Sequence, residues 1–329
     1  MWRRLLLFSA AASMASAQGA LSGPSLGWFF DPHAQALRRI WGIPGSATAG
    51  ESLDLGFPVV NATLSSAQDY ALVTAGDGSV TLVSLDPTGI AVRPVAGLPA
   101  APDRILASPS GSAAAFAYGA SIRILTGLPG SVDRLEEIDA SSLPGPPNAL
   151  AISDDGAVLL ASVPDNAQTS ASGGVFVFDR GDSGPHLIAP KMASDLSFFA
   201  ASHDALLTDE IGNSVTLLAD VGGNATVRWV FMDDRLPAPS MAKPSLDRQR
   251  ILVGSARSNS IAVLDLDGGN PVIMPCACSP DRAGPLNNGV YQLTDPGKDL
   301  LWILDLSQGP QLFFVPISEA SGTSPGASQ

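Results

Sequence analysis

A strand–turn–strand pattern recurring six times between Asn61 and Ile317, dense punctuation by glycine and proline, and the lack of any long amphipathic helix predict an all-β chain. Leu64, Leu106, Ile152, Phe198, Leu246 and Leu293 hold matching places and stand 42 to 48 residues apart, by subtraction of their positions. A β-propeller blade is one four-stranded sheet and takes about 40–50 residues. The spacing therefore predicts a propeller. The 33 glycines and 27 prolines suit a chain built from short strands and tight turns.

The third copy shows the order of elements most clearly. Asn148-Ala-Leu-Ala-Ile-Ser153 reads as a first strand and Asp154-Asp155-Gly156 as a turn. Glycine there accepts the positive φ that such hairpin turns need. Ala157–Ser162, Gly174–Asp179 and His186–Ala189 follow as second, third and outer strands. In other copies Tyr70–Thr74 precedes Ser79–Val83, Ala205–Thr208 precedes Ser214–Leu218, and Arg250–Gly254 precedes Ser260–Leu264. Runs this short, rich in Val, Ile and Leu and bounded by Gly, Asn, Asp and Ser, read as buried strands rather than helices.

The two ends decide the blade number. Val290–Thr294, Leu300–Leu304 and Gln311–Pro316 read as first, second and third strands of a last blade that lacks its outer strand. Leu26–Asp31 and Leu37–Trp41 form a hairpin with no earlier strands before it. Joining that hairpin to the C-terminal blade closes the ring and leaves no sheet edge for aggregation. Six blades are expected. Seven are the alternative, if the hairpin begins a blade of its own.

Residues 1–17 read as an export signal, with Arg3-Arg4, an apolar run from Leu5 to Ala12, and the small-residue site Ala15-Ser16-Ala17. The apolar run is too short to span a bilayer, so no membrane anchor is expected. Residues 18–317 are expected to form one propeller domain, and 318–329, all Ser, Gly, Pro and Ala apart from a few residues, a disordered tail. Secretion or a periplasmic location follows. The formal net charge is −13, and removing Arg3 and Arg4 carries it to about −15. Such a surface repels phosphate backbones, which excludes nucleic acid as a partner.

The two cysteines lie together in Pro275-Cys276-Ala-Cys278-Ser-Pro280. Three roles are open: a local disulfide or structural thiols, intermolecular or redox chemistry, and metal ligation. A C-x-C ring is small and strained, and strained bridges are the more easily reduced ones. His33, His186 and His203 share no repeat position and belong to no nucleophile or metal motif. No Gly-x-Ser-x-Gly elbow and no phosphate-cradling loop are present.

The candidate ligand-face residues are Asp77, Asp165, Asn166, Asp209, Glu210, Asn213, Arg257 and Asn259. All fall between the second and third strands of their copies, where propellers gather loops around one mouth of the central channel. Asp165 and Asn166 belong to an insertion running from Val163 to Ser172. Loops of this kind vary while the scaffold stays rigid. Asp209, Glu210 and Asn213 offer oxygen ligands of the kind that suit Ca²⁺.

The fourth copy, Ala205-Leu-Leu-Thr-Asp-Glu-Ile-Gly-Asn-Ser-Val-Thr-Leu-Leu218, resembles an NHL-type propeller repeat, and the fifth, Ile251–Asp265, resembles a YVTN-type repeat. The resemblance covers two blades and implies a propeller in an extracytoplasmic setting. It carries no catalytic residue across. The gluconolactonase and regucalcin family shares the propeller plan and holds a divalent cation through carboxylate and Asn ligands, to which only Asp209, Glu210 and Asn213 correspond. The expected function is non-catalytic binding of a protein, peptide or glycan through loops on one face, without a cofactor. One alternative is a metal-dependent lactonase-type hydrolase at the channel mouth, and another is an envelope protein with a redox-active C-x-C pair.

Overall fold

The computed structural model describes residues 23–86, 89–130, 134–165, 172–182 and 184–317. The export segment, the C-terminal tail and Asn166 lie outside these described residues. Seven antiparallel sheets form in chain order, so the ring has seven blades and not the expected six. Blade 1 is three-stranded, with Ser25–Asp31, Ala36–Trp41 and Thr48–Ser52. Blades 2 to 7 are four-stranded and span 59–94, 104–139, 149–189, 195–231, 241–275 and 284–314. Blade 4 follows the expected pattern, with Ala149–Ile152, Val158–Val163, Gly174–Asp179 and His186–Ala189 in sequence order.

The miscount has a local cause. The inner strand of blade 7 is Gly284–Pro285, two residues with no strand signature. Val290–Gln292 is consequently a second strand, Trp302–Asp305 a third and Gln311–Phe314 an outer one. Blade 7 is complete and leaves no vacancy for the N-terminal hairpin. Its second strand ends in a mimic of the repeat. In blades 3, 4 and 6, Ser108, Ser153 and Ser245 close the inner strand, each hydroxyl accepting the N–H five residues on. Thr294 closes a second strand in the same manner, accepting from the Trp302 N–H.

Alternation of side chains puts apolar residues on both faces of every inner sheet, so each sheet needs a neighbour on each side. Seven apolar clusters result, one for each pair of adjacent blades. One joins blades 4 and 5 through Leu160, Val177, Leu196 and Phe198. Another joins blade 7 to blade 1 through Leu286, Val290, Ile303, Leu26, Phe29 and Ile40. That last cluster closes the ring.

Two polar devices reinforce the seam. Ala49 of blade 1 donates to the Pro316 carbonyl, and a parallel bridge pairs Ala49 with Ile317. Gln68 ties three blades: its Oε1 accepts from the Trp28 N–H at 2.6 Å, and its Nε2 donates to the Pro285 carbonyl at 2.7 Å. Gly27, at φ 128°, is required beneath it, because a Cβ there would lie 2.8 Å from the Gln68 oxygen.

Blade 1 is also reversed. Ser25, at the start of its inner strand, meets Asn287 from the turn between the first two strands of blade 7. Pro32, just past the end of that strand, abuts the loop at Gly297 between the second and third strands of blade 7. The strand therefore runs opposite to the other six inner strands. Blade 1 is a blade without its first strand. We call the end holding the blade-to-blade links the link face and the opposite end the turn face.

Gln68→Leu removes both seam hydrogen bonds and is expected to lower unfolding stability by about 2 kcal/mol. A lowered midpoint in urea denaturation checks this, with the exposed Gln249→Leu as an unaffected control.

Candidate functional site at the link face

The loops between second and third strands share one turn. Asp31, Asp209 and Ser255 each open it by accepting, on a side-chain oxygen, the N–H three residues on. Four residues on, Gln35, Asn213 and Asn259 take the left-handed backbone, with φ of 47°, 54° and 49°. Asn is among the residues that tolerate this conformation. Each of the three then fastens the neighbouring link: the Gln35 carbonyl accepts from Val59, Asn213 Oδ1 from Ala238, and the Asn259 carbonyl from Cys276.

Of the expected ligand-face residues, Asp77, Asp165, Asp209, Glu210, Asn213, Arg257 and Asn259 lie at or between second and third strands, spread over blades 2, 4, 5 and 6. Asp209 and Asn213 use side-chain oxygens to hold their own loop and its link, while Glu210 is exposed. Among the described residues, no three His, Cys, Asp or Glu side chains stand together in a way that could hold a metal. Asp165 accepts from the Gly173 N–H at 2.7 Å and closes the base of the insertion. Asp77 accepts from both the hydroxyl and the N–H of Ser79. Arg257 is exposed at its loop tip, and the Asn259 carbonyl accepts from the Cys276 N–H.

Cys276 and Cys278 form a disulfide, with Cα atoms 4.9 Å apart. These are the only cysteines of the chain. Both residues are buried, at 6% and 4% exposure, while Ala277 between them and Pro275 before them are exposed. The ring opens the link from the outer strand of blade 6 to the inner strand of blade 7. That link is held along its length: Ser279 N–H donates to Asp299 Oδ2, Ser240 Oγ to the Pro280 carbonyl, and Asp281 N–H to the Leu293 carbonyl.

The same link ends at a feature the sequence did not disclose. The central channel encloses about 640 Å³ and is lined by inner-strand residues of all seven blades. At its link-face mouth Lys243 Nζ lies 2.9 Å from Asp195 Oδ1, and Arg282 Nη2 lies 2.8 Å from Asp295 Oδ2. Lys298 reaches Asp281 at 3.4 Å. Asp195 and Lys243 are 48 residues apart, one repeat, and that spacing is the signal that could have found them.

No family model matches the chain, and no curated protein matches it. A solved structure does: the crystal structure of a functionally unknown protein from Desulfotomaculum acetoxidans DSM 771. The TM-score is 0.57 at 13% identity, covering 89% of this chain and all of that one. This likeness shows the fold. No helix among the described residues is long and apolar enough to cross a membrane.

The hydrogen bonds from Ser79, side chain first and backbone second, hold the Asp77 carboxyl below the usual aspartate range. A depressed folded value adds stability above the unfolded pKa of about 3.9 and loses it as pH falls through the folded value. In an NMR titration Asp77 should ionise below the ordinary value, and Ser79→Ala should move its midpoint upward.

Proposed function

We propose that this is an exported envelope propeller whose Cys276–Cys278 pair works as a thiol–disulfide couple. The observation that carries it is the disulfide itself: the chain's only two cysteines are bonded across a single intervening residue. A ring of that size strains the bond, and strained bridges sit among the labile ones rather than the inert structural ones. The exposed tip at Ala277 gives a partner thiolate its approach, and burial of both cysteines makes exchange depend on yielding of the link.

The exchange balances as follows. A partner thiolate attacks one sulfur of the bridge, forming a mixed disulfide and releasing the other cysteine as thiolate. A second partner thiol, deprotonated, attacks the mixed disulfide. The partner leaves as a disulfide, and Cys276 and Cys278 carry two electrons and two protons as thiols. The reverse sequence oxidises them.

Non-catalytic binding through the link-face loops is the second reading. It has the channel mouth in its favour, whereas its original candidates are dispersed among four blades. The test is a redox titration of the purified mature protein in defined thiol buffers, trapping thiols by alkylation and reading the mass. A midpoint above about −300 mV is expected, and one below it makes the bridge a structural clamp.

A further inference from the structure

A second cavity, of about 450 Å³, lies at the turn face where the three-stranded blade 1 meets blade 2. Its volume falls within the range of about 300–1,000 Å³ typical of small-molecule sites. None of its wall residues belongs to the disulfide or the link-face loops.

Two arginines face this cleft. Arg39 is clamped between two indoles, its guanidinium carbon 5.2 Å from the Trp28 ring centroid and 4.6 Å from that of Trp41. Its Nε donates to Ser25 Oγ, which leaves the terminal nitrogens for another acceptor. Arg93 is exposed and, among the described residues, donates to the carbonyls of Pro129 and Gly130. Neither has a carboxylate partner among the described residues, whereas eight other arginines of this acidic chain do. A guanidinium fixed in orientation and free at its ends is suited to a carboxylate.

The remaining walls restrict the ligand. Trp28 borders the cleft, and Ser84 and Asn287 add neutral polar groups. Asp69 and Asp86 also line it and are engaged, Asp69 accepting from the Ser65 hydroxyl. Two carboxylates beside two arginines disfavour an anion whose charges are clustered on one group, but accept hydroxyl donors. A ligand with many hydroxyls, one carboxylate on a ring, and an apolar ring face meets each of these demands. We infer that the turn-face cleft binds an acidic saccharide, its carboxylate on Arg39 and Arg93 and its hydroxyls on the surrounding polar groups.

Calorimetry on the mature protein tests this with three probes: tri-galacturonate, the neutral maltotriose and inorganic phosphate. Tri-galacturonate should bind, with maltotriose at least about tenfold weaker. Arg93→Gln should weaken tri-galacturonate at least about tenfold without changing the thermal midpoint, because Arg93 is exposed. Arg257→Gln on the opposite face should leave binding unchanged. The proposal is overturned if tri-galacturonate gives no heat at about 5 mM, if maltotriose binds equally well, or if Arg93→Gln has no effect. Phosphate binding as tightly and displacing the sugar would overturn it too, since the cleft would then read an anion alone.

Discussion

Shared burial between neighbouring sheets is the constraint from which this molecule follows. No blade has a core of its own: each apolar cluster takes residues from two adjacent blades, and the cluster uniting Leu286 and Ile303 with Phe29 and Ile40 joins the last to the first. A ring held this way stabilises only as a closed object, because an open end would leave one apolar sheet face in water. The polar devices at the seam set the register in which the ends meet. Gln68 does so with two hydrogen bonds to two different blades.

Closure also distributes chemistry between the two faces. On the link face, the same turn that seats Asn213 and Asn259 fixes the blade-to-blade links, so residues that look free in the sequence are committed to structure. What remains for function there is the disulfide segment and the charged channel mouth that one link connects. On the turn face, where three-stranded blade 1 meets blade 2, lies a cleft with two arginines that no carboxylate of the described residues neutralises.

The fold was largely legible because the blades carry a local code: apolar runs bounded by turn residues and, in blades 3, 4 and 6, a closing serine. Blade 4 could be read strand by strand. The number of blades was not legible, for two physical reasons. Gly284–Pro285 forms an inner strand through its position between neighbours and not through propensity, and Thr294 copies a signal that belongs one strand earlier. The disulfide was legible as one option for the two cysteines, and the fold brings their sulfurs into a bond. The ion pairs at the channel mouth and the turn-face cleft were not seen, since Asp195 and Lys243, or Arg39 and Arg93, belong to neighbouring blades and meet only when those blades pack.

The two-residue inner strand of blade 7 has a dynamic consequence. It is paired at only two positions, and its proline has no N–H to contribute to the ladder. Sub-global opening concentrates where backbone pairing is sparse. The toroid should therefore breathe as a split washer does, parting at one slit while the rest of the hoop keeps its curvature.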